Sequence, residues 1–288
     1  MNVSTSVASV LAMGAQRLRA GASATAAASA TLDAGLLLAH TLRTTRVRLM
    51  SEAERAVEPA AVGRYRALIE RRARGEPLAY LTGIREFWSL PLRVSRAVLV
   101  PRPETELLVE RALALRAVSE GRVVDLGTGS GAIALALARE RPHWRVTATD
   151  ISLEALAVAR ANAAELQLTG IDFRHGSWFA PLGAARFDLI VSNPPYVAAD
   201  DAVLEDPALA HEPRLALTPG ADALRCLREI ARDAPQHLEP GGWLLLEHGA
   251  AQAAAVRDEL VLAGCRSVRS HRDLAGHERI TEGQYDPL

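Results

Sequence analysis

The stretch "VVDLGTGSGAIALALA", residues 123–138, decides how the rest of the chain is read. A short aliphatic run leads into a glycine-rich turn, and an Ala/Leu-rich helical pattern leads out of it. Glycines at 127, 129 and 131 let the backbone turn sharply and approach a ligand with no Cβ in the way. Strand, glycine turn and helix in that order open a doubly wound α/β domain.

Outward from this turn the same alternation continues. "RVTATD", "IDFRHG", "FDLIVSN" and "GGWLLLEHG" read as further strands, and "SLEALAVARANAAELQ" as a helix between two of them. Short aliphatic runs separated by amphipathic helices imply a mostly parallel sheet covered on both faces. The tail "SVRSHRDLAGHERITEGQY" reads as two strands joined by a Gly-containing turn, so the sheet is expected to finish in an antiparallel hairpin.

The turn also points to a ligand. Asp150 ends the next strand, 19 residues beyond Gly131, where a carboxylate accepts hydrogen bonds from ribose hydroxyls. A dinucleotide site would show Gly-x-Gly-x-x-Gly, but here the third glycine comes one residue early. Asp125, just before the turn, would repel a pyrophosphate and could pair with an ammonium. An amino-acid-bearing nucleoside, S-adenosylmethionine, satisfies both conditions, with Gly127, Thr128, Gly129, Ser130, Gly131 and Asp150 expected to hold it. In "HGSWFAP", Ser177 and Trp178 fall where an adenine could be bonded and covered, although a Trp at a strand end also packs simply against a core.

At the end of the fourth of these strands stands "SNPPY", residues 192–196. Two prolines remove two backbone donors and cannot continue a central strand. The Asn193 side-chain carbonyl and the Pro194 carbonyl are acceptors, and Pro194 and Pro195 bring no competing N–H. Two acceptors hold an –NH2 by its two donors, with its lone pair turned toward a methyl group, and Tyr196 can stack on the planar group carrying it. Asn193, Pro194 and Tyr196 are the expected catalytic residues, and Asn193, Pro194, Pro195 and Tyr196 the expected substrate site. Such a nitrogen is a poor nucleophile that needs positioning more than deprotonation.

Composition bounds the setting. The chain has 288 residues, 49% of them hydrophobic, with no apolar run near the ~20 residues that a membrane-spanning helix needs. The weakly apolar start has no basic residue ahead of it, which argues against a signal peptide. Cys226 and Cys265 lie far apart, outside any metal-ligand spacing, and read as free thiols in a reducing cytoplasm. All 33 basic residues are arginine. Residues 1–84 carry 11 Arg against 6 acids, and the remainder carries 22 against 28. The basic front part is either an ordinary solvated face or a docking surface for an acidic partner or RNA. "TLDAGLLLAHTLR" and "AAVGRYRALIERRARG" in it have helical spacing, "GASATAAASA" fits a loop or a weak helix, and "REFWSLPLRVSRAVLVPRP" reads as a hairpin with a Pro-containing turn.

With these residues assembled, the chain resembles the protein N5-glutamine methyltransferases that modify peptide chain release factors. "EPLAYLTGIREFWSLPLRV", "LVPRPETELLVE", "DLGTGSGAIALALA", "SNPPYV", "HEPRLAL" and "GGWLLLEHG" resemble that family's successive segments in order. The likeness spans roughly residues 31–285, with Gly35 standing where an acid is usual and residues 1–30 matching poorly. It implies a helical substrate-docking domain over 1–84, a hairpin linker over 85–104 and a Rossmann-like methyltransferase domain over 105–288. It further implies that the glycine turn, Asp150, Trp178 and Asn193 bind S-adenosylmethionine, leaving S-adenosylhomocysteine. Asn193 to Tyr196 would then hold the glutamine of a release-factor Gly-Gly-Gln loop. Arg102, Glu104, Thr105 and Glu106 would border the methionine part of the cofactor, although the acids also suit the entry to a helix, and Glu247 and His248 would support the site from behind. A cytoplasmic monomer with no membrane contact, no metal and no stable nucleic-acid binding is expected. The competing reading is a methyltransferase for the exocyclic amine of adenine or guanine, which presents the same two donors but calls for a basic groove.

Overall fold

The computed structural model describes residues 5–20, 24–115 and 120–286. The chain forms two compact units. One runs to Gly83 and takes in Pro207–His211; the other holds Ile84–Asp206 and the chain from Glu212 onward.

The first unit is helical, with helices over Val7–Arg19, Ala24–Leu42, Arg46–Ser51, Pro59–Ala73 and Leu78–Thr82. The second helix buries Ala30, Ala34, Leu37 and Leu38, positions spaced at i, i+4, i+7 and i+8 along one stripe. Truncating either leucine to alanine in such a core costs about 2–5 kcal/mol. Tyr65 is fully buried, and its hydroxyl donates to the Ala34 carbonyl at 3.2 Å. The low-complexity segment resolves as helix from Ala24 onward; its first three residues, 21–23, lie outside the described residues.

The second unit begins with a hairpin of β1 (Ile84–Phe87) and β2 (Leu90–Arg93). The turn is Trp88–Ser89, both at positive φ, and Pro91 lies within β2 rather than in the turn as its sequence suggests. Left-handed backbone is unfavourable for Trp, and the Glu106 carboxylate compensates by accepting from Trp88 N–H at 2.8 Å. The hairpin is no free linker. Phe87, Leu90 and Leu92 are buried in one cluster with Leu108, Leu135 and Val123.

A seven-stranded sheet follows, from β3 (Gly121–Leu126), β4 (Trp144–Asp150), β5 (Asp172–His175), β6 (Phe187–Ser192), β7 (Leu238–Glu247), β8 (Cys265–Arg272) and β9 (Glu278–Tyr285). Its order is β5-β4-β3-β6-β7-β9-β8, parallel through β7 and antiparallel for the last two strands. The sheet is buried on both faces in the alternation that a strand dictates. Val123, Leu189, Val191 and Leu245 face helices Glu106–Leu115 and Ala132–Glu140, whereas Val124, Ile190, Leu244 and Leu246 face helices Arg225–Asp233 and Ala253–Leu262. Strand order reverses between β3 and β6, so a crevice opens beyond their carboxyl ends. Among the described residues no helix is long and apolar enough to cross a membrane, and no three His, Cys, Asp or Glu residues cluster as metal ligands. Both cysteines are free and buried.

Candidate active site

A cavity of about 220 Å³ occupies that crevice. The turn after β3 forms its floor. Gly127 and Thr128 both donate backbone N–H to the Thr149 carbonyl at 2.9 Å, which ties the turn to β4. Gly127 has φ +74, and a Cβ there would stand 3.2 Å from the Trp178 ring, so only glycine lets these two walls meet. Gly131, at φ +84, plays another part. Its missing Cβ makes room for Leu135 and Ala159 as helix Ala132–Glu140 starts, and it packs elements together rather than lining the cavity.

Asp150 lines the cavity with its carboxylate held by main chain. One oxygen accepts from Gly129 N–H and the other from Ser152 N–H, each at 2.8 Å. Burial pushes its pKa up, against these two bonds. Each oxygen keeps a further lone pair for a hydroxyl of a ligand. Asp125, read from sequence as a partner for an ammonium, has no exposed surface and does not reach the cavity. Its Oδ2 accepts from the Thr128 hydroxyl at 2.6 Å and from Ala134 N–H at 3.3 Å, which closes the turn from beneath. Burial raises its pKa to about 7.

Trp178 lines the opposite wall at φ +44, its indole N–H donating to Glu229 at 3.2 Å and its carbonyl accepting from the Thr149 hydroxyl. Ser177 lies beside it in the wall. Exposed apolar surface from Ile151 (53%) and Leu215 (62%) adds flat, uncharged area to the same cavity.

At the end of β6, Asn193 and Pro195 face the cavity. The structure sets Pro194 and Tyr196 back from it. Pro194 is buried at the strand end, and the Tyr196 hydroxyl points into the protein, donating to Glu247 Oε1 at 3.2 Å. Burial, followed by the Glu247 charge, raises the Tyr196 pKa. Asn193 Nδ2 donates to Thr105 Oγ1 at 3.1 Å, and the Thr105 hydroxyl donates to Glu247 Oε2 at 2.7 Å. Among the described residues Asn193 Oδ1 has no protein partner. Glu247 thus ties together three of the residues read from sequence, and its burial raises its own pKa to about 7. His248 beside it is buried between the Gly249 carbonyl at 2.9 Å and Thr281 Oγ1 at 2.7 Å. Only an N–H can meet that carbonyl, so Nδ1 carries the proton, and burial lowers the ring's pKa and keeps it neutral.

Of the four residues expected to border the cofactor, Arg102 and Thr105 line the cavity, whereas Glu104 and Glu106 do not; Glu106 braces the hairpin turn instead. Arg96, Leu99 and Ile133 also line it; all three fall inside segments quoted above, but none of them is assigned a role there. Glu212, within "HEPRLAL", explains how residues 96–102 are held. Its buried carboxylate accepts from Val100 N–H at 2.9 Å and from the Arg102 guanidinium at 2.6 Å.

Comparison with known proteins follows the same division. Residues 103–212 match the family described as Methyltransferase small domain, and residues 9–83 match the PrmC N-terminal domain. The chain is 51% identical over 254 residues, 88% of its length and 92% of the relative's, to a release factor glutamine methyltransferase of Xylella fastidiosa. It is 49% identical over 257 residues to the protein of that name from Pseudomonas aeruginosa, covering 89% of this chain and 93% of the relative. In fold it is similar to the 16S rRNA N2 G1207 methyltransferase of Thermus thermophilus, solved with AdoMet and guanosine. That match has a TM-score of 0.51 and 18% identity over 70% of this chain and 49% of the other. Identity at this level along nearly the whole length settles the family: the chain belongs to the release factor glutamine methyltransferases.

Proposed function

We propose that this protein transfers a methyl group from S-adenosylmethionine to the side-chain amide nitrogen of the glutamine in the Gly-Gly-Gln loop of peptide chain release factors. One observation carries the reading: Asn193, with its nitrogen taken up by Thr105, stands at the end of β6 beside the glycine turn of β3. It offers an acceptor to an incoming –NH2 next to a cradle for a nucleoside.

The cavity wall fits S-adenosylmethionine. Asp150 offers carboxylate lone pairs to ribose hydroxyls, Gly127 leaves main chain bare, and Ile151 and Trp178 provide apolar faces for a base. When bound, the cofactor supplies an electrophilic methyl on a positively charged sulfur. The chain's own residues do the rest. Asn193 Oδ1 orients the amide so that its nitrogen lone pair faces the methyl group. Holding reactants in line is worth effective molarities of ~10⁵ M or more. No residue needs to take a proton beforehand, because the nitrogen becomes strongly acidic once the new N–C bond exists and gives its proton to water. Arg102, fixed by Glu212, and Thr105 bound the same space.

The first unit is the docking surface in this reading. Its sequence carries a net +5, but Arg71 and Arg72 are spent on Glu76 and Asp33 within the unit. Arg64 and Arg74, both exposed, are better candidates for reaching a partner.

The test is methyl transfer from labelled S-adenosylmethionine to a purified release factor. Wild type runs beside Asn193→Ala and beside an acceptor whose loop glutamine is alanine. Label on wild type that disappears in both controls is the expected result; label on RNA or DNA with none on the release factor overturns it.

A further inference from the structure

This inference rests on the reading above, in which Asn193 presents an acceptor to the substrate amide. We propose that Glu247 is a positioning residue that dictates, through Thr105, which way round the Asn193 side-chain amide sits. An asparagine amide has nearly the same shape in either orientation, and the substrate –NH2 is held only if oxygen faces the cavity. Something must choose, and a hydroxyl has a single proton with which to do it.

A carboxylate only accepts. With Glu247 ionised, the Thr105 proton goes to Oε2, 2.7 Å away, and Thr105 Oγ1 shows only lone pairs to Asn193. The amide nitrogen alone can meet them, so Oδ1 turns to the cavity. Tyr196 donates to the other oxygen, so both carboxylate oxygens are committed. Nδ2 bonded in this way also strengthens Oδ1 as an acceptor, because hydrogen bonds in a chain polarise one another. With Glu247 protonated, its O–H can donate to Thr105, whose proton then turns to Asn193. Oxygen now suits that position better than nitrogen. The amide reverses and sets two donors against the two donors of the substrate.

The charge on Glu247 is set by groups from each element around it. Arg279 on β9 favours the ionised form and Glu104, before helix Glu106–Leu115, disfavours it. The Thr105 and Tyr196 hydroxyls favour it, and burial opposes all three favourable groups and dominates. His248, next along the strand, is neutral. The balance point is about 7, so the orientation of Asn193 changes across neutral pH.

The experiment follows two signals across neutral pH in wild type, Glu247→Gln, Thr105→Val and Thr105→Ser. One is kcat/KM for a release factor; the other is the side-chain amide ¹⁵N–¹H resonance of Asn193. In wild type both signals should rise or shift together as Glu247 ionises. Glutamine at 247 can donate as well as accept, so Glu247→Gln should lose the pH step in both signals and fall on the order of 10²-fold in kcat/KM. It should still bind S-adenosylmethionine at wild-type strength, because Glu247 does not line the cavity. Thr105→Val should behave like Glu247→Gln, and Thr105→Ser should restore wild-type behaviour. An Asn193 resonance that does not titrate, or that titrates equally in Glu247→Gln, overturns the proposal whatever the protein methylates. A wild type that labels no release factor speaks against the function above, and the resonance titration still judges the orientation.

Discussion

At the end of β3 the cavity wall is main chain, whereas at the end of β6 it is side chain. The glycine turn gets its shape from positive φ angles and from N–H groups anchored on Thr149 and Asp150. The N–H groups that line the cradle do not titrate; the carboxylates behind them, Asp150 at the wall and Asp125 beneath the turn, do not change which atoms those N–H groups present. Asn193 is aimed instead by two hydroxyls and a buried carboxylate, groups whose protons can move. Backbone is therefore used where a ligand must be cradled identically each time. A proton network is used where one of two nearly equivalent orientations must be chosen.

Asn193→Ala strikes the side-chain half hardest. Loss of one positioned polar group at a reacting centre typically costs 10²–10³-fold, so kcat/KM for the release factor should fall by about that factor. Calorimetric titration should show S-adenosylmethionine binding within a few-fold of wild type. If binding falls as far as turnover, the two halves are not separable and the comparison fails.

The next largest effect is on stability. The carboxyl of Glu247 moves from 4.5 to about 7 on folding, so the fold favours its protonated form. Its contribution is fully present below about pH 4.5 and is lost as pH rises through about 7. Chemical denaturation across that window should show Glu247→Gln losing a pH dependence on the order of 3 kcal/mol. The form that aims Asn193 correctly is thus the form the fold tolerates less.

Gly127→Ala probes the main-chain half. A Cβ at φ +74 and 3.2 Å from Trp178 carries strain of about 1–3 kcal/mol. Cofactor binding should weaken by roughly 10- to 100-fold, with KM for the release factor unchanged once cofactor is saturating. The smallest effect belongs to the first unit. Arg64→Glu with Arg74→Glu should raise KM for the release factor about two- to five-fold without moving Tm, an effect that disappears at high salt. Arg71→Glu should instead lower Tm, because the buried Glu76 carboxylate loses its bidentate partner.

The sheet could be read in outline from one glycine turn and the alternation around it, because buried parallel strands leave continuous aliphatic runs and helices leave periodic ones. "SNPPY" could be read because two prolines at a strand end are chemically odd. Thr105 was visible as a neighbour of the cofactor but not as the link between Asn193 and Glu247, residues 88 and 142 positions away. No periodicity encodes a contact at that separation. The carboxylate behind Tyr196 is hidden for the same reason: a Tyr after Pro-Pro suggests stacking, and only the fold reveals the partner of its hydroxyl. Residues 96–102 have no composition that marks a cavity wall, since they are placed by Glu212 from far along the chain. Gly131 looked like its neighbours in the turn, and only its surroundings, Leu135 and Ala159, separate packing from cradling.

Strand β9 follows β8 in the chain yet lies between β8 and β7, pairing Ile280 with Glu247 and holding His248 through Thr281. During synthesis this order has a consequence. While residues 278–285 are still inside the ribosome, β7 shows an open edge at Glu247 and β8 has no strand to join. By then β3, β4 and β6 have emerged, and with them every residue of the glycine cradle. A nascent chain therefore carries every residue of the glycine cradle before it carries the strand that pairs with Glu247 at the acceptor end.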